Sequence, residues 1–276
     1  MKLENIVDES AYCSIGCITK PDDIHILEQY LMFNYDVICR FHKIIVAHNR
    51  LDEISNENFE KYNQVWNKIF GDKCIILNRP NYGHTFGFID LDRTVLSKAK
   101  KLGYKWVWKS TNDVIIKVQI FSINFDNENF LYLQGHGISG MGWYNNDVIL
   151  ATNSFKNNGY EHFFPQTNFY ITTTTTNELI SKQHFDYQYT NYLLDPEYKK
   201  MNKHTAYKYA SCEDNLRLFV LRNKLICKHL IGKQSYRRLL KAILVFKIED
   251  SSHKNIFFKE CGICHLHFPN EPILEI

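Results

Sequence analysis

No apolar run in this chain approaches the about 18 residues that a bilayer-spanning helix needs. No internal repeat recurs along it, and no linker-like stretch divides it. Charge of one sign is also lacking. Lys and Arg total 33 against 30 Asp and Glu, a net charge of +3, too mild to point to nucleic acid, and no nucleic-acid partner is expected. Alanine is scarce at 7 residues and arginine at 8, against 25 Lys, 26 Asn and 29 Ile. That skew reads as an A/T-rich coding sequence and says nothing of function. The stretch from Met1 to Ser10 is polar and acidic and lacks the form of a signal peptide. The eight cysteines, at 13, 17, 39, 74, 212, 227, 261 and 264, are therefore expected to be reduced thiols of a cytoplasmic protein.

What is present is a large core. Of 276 residues, 45% are hydrophobic, 14% aromatic and 23% charged, which excludes disordered and fibrous classes. The length sits at the upper edge of one α/β domain. The pattern of residues 12–18 and 43–47 predicts buried strands, and that of 74–77 and 104–108 a third and a fourth strand. Helices are expected from Pro21-Asp22-Asp23 to about Asn34, over 57–70 ending at Gly71, and over 88–102 ending at Gly103. The strands are continuous apolar runs, the mark of a parallel sheet covered on both faces. Such sheets bind ligands at the carboxyl ends of their strands. That places Thr19, Asn49, the loop Arg79–Gly87 and the segment Ser110–Asp113 as candidates.

The second half changes character. Residues 130–133 and 168–175 read as strands, with a Gly-bearing polar loop at 135–165 between them and a helix starting at Glu178. Aromatics (Trp143, Tyr144, Tyr160, Phe163, Phe164) and the amides Gln166 and Asn168 suit either a sugar cleft or a core. Residues 215–248 hold nine Lys or Arg and no acid, with apolar residues at helical spacing. They read either as a peripheral membrane contact or as a solvated helix face.

The order of features resembles a GT-A type glycosyltransferase, similar to family 2. The residues that carry the likeness are Thr111-Asn112-Asp113 after a sheet strand, the Gly-bearing loop 135–142, Cys212-Glu213-Asp214 opening a helix, and the late histidines His265 and His267. The resemblance implies a GT-A (Rossmann-like), mainly parallel α/β fold over 1–250. Residues 1–115 would form the nucleotide half and 116–250 the acceptor half, with 251–276 packing back on the site. It implies a nucleotide-sugar donor, a glycan, lipid-linked or protein acceptor, and Mn²⁺ or Mg²⁺ held by Asp113 with His265 or His267. Asp214 or Glu213 would deprotonate the acceptor in an inverting transfer. Thr19, Asn49, Arg79, Asn81, Gly83 and Asn112 would seat the nucleotide.

The residues themselves leave alternatives. Thr111 stands where the family carries an acid. Asn112-Asp113 also fits a plain turn between strands. Cys261, Cys264, His265 and His267 fit a zinc half-site, a late metal-binding histidine, or buried thiols and imidazoles on a terminal strand. The loop 79–87 matches neither a phosphate-cradling Walker loop nor a dinucleotide fingerprint. Two rival functions remain: a nucleotidyltransferase, and a non-catalytic binding protein on the same scaffold.

Overall fold

The computed structural model describes residues 1–82, 84–125 and 168–174, together with the strands at 132–134, 227–229 and 263–265. Its centre is a seven-stranded sheet. The strands are β1 (Ser10–Ile18), β2 (Ile44–Arg50), β3 (Cys74–Asn78), β4 (Trp106–Thr111), β6 (Tyr132–Gln134), β7 (Phe169–Thr173) and β8 (Cys227–His229), ordered β3-β2-β1-β4-β7-β6-β8. β1 to β4 are mutually parallel, β7 is antiparallel to β4 and to β6, and β6 is parallel to β8. A separate pair joins β5 (Val114–Ile116) to β9 (Ile263–His265) in antiparallel register.

The alternation of strands and helices follows the expected β-α-β-α-β-α-β order. Helix α1 spans Asp23–Ile38, α2 Asn56–Phe70 and α3 His84–Lys101. In α2, Tyr62, Trp66 and Phe70 recur every fourth residue and are buried, while Glu57 and Lys61 pair at 2.6 Å on the outer face. Ser55 caps its start by accepting from the Asn58 amide, and Gly71 ends it at φ +51°. Gly103, at φ +84°, closes the turn after α3. Strand alternation then splits the core. Tyr12, Ile44, Val46, Trp106 and Trp108 face α1 and α2, whereas Ala11, Cys13, Ile45, Ala47 and Val107 face α3. No described helix is long and apolar enough to cross a membrane.

Several boundaries differ from the sequence expectation, and β6 and β7 are displaced or shorter than 130–133 and 168–175. α1 runs on to Ile38, and α3 starts at His84 rather than 88, so the loop after β3 is shorter than 79–87. His48 and Asn49 lie inside β2 rather than beyond its end. β4 starts at Trp106 and continues through Lys109, Ser110 and Thr111, polar residues that are all buried. Each of these polar side chains has a partner: Lys109 lies against Asp92, Ser110 Oγ donates to the Thr111 carbonyl at 2.9 Å, and Thr111 Oγ1 donates to Asp113.

Candidate functional site

The chain passes outward from β1 through β2 to β3 and then returns to β4 on the other side of β1. This reversal opens a crevice beyond the carboxyl ends of β1 and β4, the place where open α/β sheets accept ligands. The register pairs Ile15 with Thr111, so Gly16 lies beside Asn112. A Cβ on Gly16 would stand 2.8 Å from Asn112 Nδ2. Glycine here is a packing requirement, since only its bare backbone admits the Asn112 amide.

The turn Asn112-Asp113 joins β4 to β5 and is held from three sides. Thr111 Oγ1 donates to Asp113 Oδ1. Asn112 Nδ2 donates to the Tyr62 hydroxyl at 2.8 Å. Asn34, fully buried on α1, donates from Nδ2 to the Val114 carbonyl at 3.0 Å and accepts from the Ile116 amide at 2.6 Å. The Asn34 side chain thereby acts as a strand partner for one edge of β5, and β9 pairs with the other. Burial pushes the Tyr62 phenol well up, so it stays a neutral hydroxyl against Asn112.

The β5–β9 register sets His265 opposite Val114, the residue after Asp113. The late histidine therefore reaches the turn through backbone pairing.

On β2, Asn49 is 2% exposed and its Oδ1 has no hydrogen-bond partner among the described residues. It faces the start of α3: a Cβ on Gly87 would lie 3.0 Å from Asn49 Nδ2 and 3.7 Å from Asn81 Oδ1. Asn49, Asn81 and Gly87 thus meet in one place. An unmatched buried acceptor there has use for a donor brought by a ligand or water. Arg79, expected to help seat the nucleotide, has its fork on Asp90 of α3, with Nε–Oδ2 at 2.7 Å and Nη2–Oδ1 at 2.8 Å. The Arg79 amide also bonds the His48 carbonyl at 2.9 Å. This bidentate pair ties the β3 exit to the helix and raises the affinity of Arg79 for its proton. Thr19, just past β1, gives its amide and hydroxyl to Asp23 Oδ2 at 2.6 and 3.0 Å, and Lys20 adds its amide at 2.9 Å. Asp23 so closes the turn into α1.

A second polar group lies beneath this edge, on the α3 face. Lys109 is fully buried, with Nζ 3.6 Å from Asp92 Oδ1. The Tyr170 hydroxyl donates to Asp92 Oδ2 at 2.6 Å, and the Phe88 ring centroid is 4.2 Å from the ammonium. Burial raises the Asp92 pKa, and the nearby Lys109 opposes that shift. Cys13 packs in the same region, its thiol pushed well up by burial.

Thr19, Asn49, Arg79, Asn81, Asn112 and Asp113 all lie at the carboxyl edge of the sheet, in two groups around β1/β4 and β2/β3. Glu213, Asp214, Gly83, His267, the loop 135–165, Gln166, the helix at Glu178 and the basic residues of 215–248 other than Lys228 lie outside the described residues. Asn34, Tyr62, Gly16, Asp90, Asp92 and Lys109 were not singled out from sequence. Gly16 carried a signal, an isolated glycine in a strand. The others sit within helical or strand patterns that read as ordinary. Among the described residues, no group of three or more His, Cys, Asp or Glu is placed to hold a metal. The Asp113 carboxylate is a hard oxygen donor, which suits Mg²⁺ or Mn²⁺ as one part of a shell that phosphate oxygens and water would complete.

No protein-family model matches the chain. No curated protein matches it in sequence. Among solved structures, it is similar to core-mannan synthase A from Aspergillus fumigatus in its Mn/GDP form. The identity is 10% and the TM-score 0.39, with 80% of this chain and 72% of that one covered.

Proposed function

We propose that this chain is a GT-A type glycosyltransferase that moves a sugar from a nucleotide-sugar donor to a hydroxyl on a glycan, lipid-linked or protein acceptor. The observation that carries the reading is the braced Thr111-Asn112-Asp113 turn at the switch point between β1 and β4, with the late strand β9 paired beside it. Asp113, with His265 or His267, would hold Mg²⁺ or Mn²⁺. Such an ion neutralises charge on the departing nucleoside diphosphate. Asn49 offers an unmatched acceptor to a donor group on the base or ribose, with Asn81 and Gly87 beside it, and Thr19 and Gly83 belong to the same nucleotide-seating proposal. Asn112 shapes the floor of the crevice, and Arg79 acts by holding the loop in front of α3. Asp214, or Glu213 beside it, is the general base that takes the proton from the acceptor hydroxyl as its oxygen attacks the anomeric carbon. Attack opposite the leaving diphosphate inverts the configuration. A cytoplasmic location belongs to the same proposal.

A second reading has one observation in its favour. Thr111 leaves a single carboxylate in the turn, which suits a binding protein without turnover. Release of nucleoside diphosphate from a panel of nucleotide sugars, with and without simple glycan acceptors, separates the two. The Glu213→Gln, Asp214→Asn double variant is expected to lower turnover by about 10² to 10⁴-fold while leaving nucleotide affinity intact. Unchanged turnover would remove the base assignment. Nucleotide binding without any turnover would select the binding protein.

A further inference from the structure

We infer that Thr111 is a positioning residue that pre-sets the Asp113 carboxylate before any cation arrives, an inference that rests on the reading of Asp113 as a metal ligand. Thr111 is itself fixed. It is the last residue of β4, 8% exposed, and its amide bonds the Asn168 carbonyl at 2.8 Å. Its hydroxyl has one proton and two acceptors in reach. The Asn168 carbonyl lies 3.4 Å away, and Asp113 Oδ1 is much closer. The proton therefore goes to the carboxylate, and hydrogen bonds to charged groups are the stronger kind. The backbone of the turn is already braced by Asn34 on β5 and by Tyr62 through Asn112. The threonine acts instead on the Asp113 side chain, to which its hydroxyl donates.

A hydroxyl does at this position what a second carboxylate could not. An acid at 111 would stand against Asp113 as a like charge, and a bound cation or an added proton would be needed to relieve the repulsion. Threonine instead supplies a donor and holds the geometry without the cation. The turn is thus organised in the metal-free protein, at the cost of one anionic ligand.

The test is Mn²⁺ binding to the full chain, read from the free-ion electron paramagnetic resonance signal, with thermal midpoints in EDTA as the folding control. Thr111→Val, which keeps the shape and removes the hydroxyl, is expected to weaken Mn²⁺ binding about tenfold with the EDTA midpoint little changed. Thr111→Ser restores the donor and should bind within about twofold of the unaltered protein. Thr111→Asp should lower the EDTA midpoint and regain it on adding Mn²⁺. Binding lost in Asp113→Ala but retained in Thr111→Val would overturn this inference alone. Binding absent from the unaltered protein, or indifferent to Asp113→Ala, would overturn the metal reading and this inference with it.

Discussion

Replacing Lys109 with methionine is expected to destabilise the protein by about 3–5 kcal/mol, measured by urea unfolding at neutral pH. The ammonium is fully buried and its partner Asp92 is nearly so. Neither charge has water to fall back on. Removing the lysine leaves a carboxylate that still accepts from the Tyr170 hydroxyl at 2.6 Å but has lost its counter-charge. The carboxylate must then stay charged in an apolar surrounding or take up a proton, and both cost free energy. Removing both charges behaves differently. A Lys109→Met, Asp92→Leu double variant should recover most of the loss, because neither buried charge remains. Near-additive losses in the two single variants and the double would show that the residues act independently. The pair joins α3 to β4 two residues before Thr111, so its loss should also loosen the candidate site.

Acidification is expected to cost roughly 3 kcal/mol of stability through His48 alone, between pH 6.5 and pH 4. His48 is 1% exposed on β2, with its ring edge-on to Phe59 and Tyr62 at 5.1 and 5.0 Å between centroids. Nε2 meets Asn63 Oδ1, which makes it the protonated nitrogen, and Nδ1 has no partner among the described residues. Burial pulls its pKa down from 6.5 to about 4, with the Asn63 bond opposing. A base whose folded pKa is depressed favours the neutral form. Its contribution is complete above pH 6.5, falls as protons bind the unfolded chain, and levels off below pH 4. The unfolding free energy should therefore drop by about 1.4 kcal/mol per pH unit inside that window. His48→Gln cannot titrate and should lack that component of the slope. Equal slopes in the two proteins would refute the assignment. The consequence reaches the site, because Tyr62 both packs on His48 and receives Asn112.

The parts of the fold that were legible in the sequence are those that hydrophobicity writes directly. Ile44–Ala47 and Cys74–Leu77 are unbroken apolar runs, and both are parallel strands in the sheet. The helix stops at Gly71 and Gly103 follow from positive φ angles that glycine adopts without strain. The end of β4 was not legible. Lys109 reads as a solvent residue until Asp92, on the preceding helix, supplies its counter-charge. Asn34 was hidden in the same way. It falls on the buried stripe of α1, and its function depends on Val114 and Ile116, whose backbone it alone cannot announce. The pairing of Val114 with His265 joins segments far apart in the chain, and no local pattern encodes such a register. For the site, Thr19, Asn49 and Asp113 do lie at the carboxyl edge, although β2 runs past Asn49 and β4 runs on to Thr111. The engagement of Arg79 by Asp90 did not, because an arginine in a loop gives no sign of which acid it will meet.

The proposed function stands or falls on whether the crevice beside Asp113 takes a nucleoside diphosphate with a divalent cation. Thermal midpoints of the full chain and of Asp113→Ala, with each nucleoside diphosphate and Mn²⁺, Mg²⁺ or EDTA, address this most directly. A ligand at about a hundred times its Kd adds about 2.7 kcal/mol, which is several degrees for a protein of this size. Such a shift is expected with one nucleoside diphosphate, together with its loss in EDTA and its loss in Asp113→Ala. No shift with any nucleotide, or a shift that ignores both EDTA and the substitution, would contradict the proposed function.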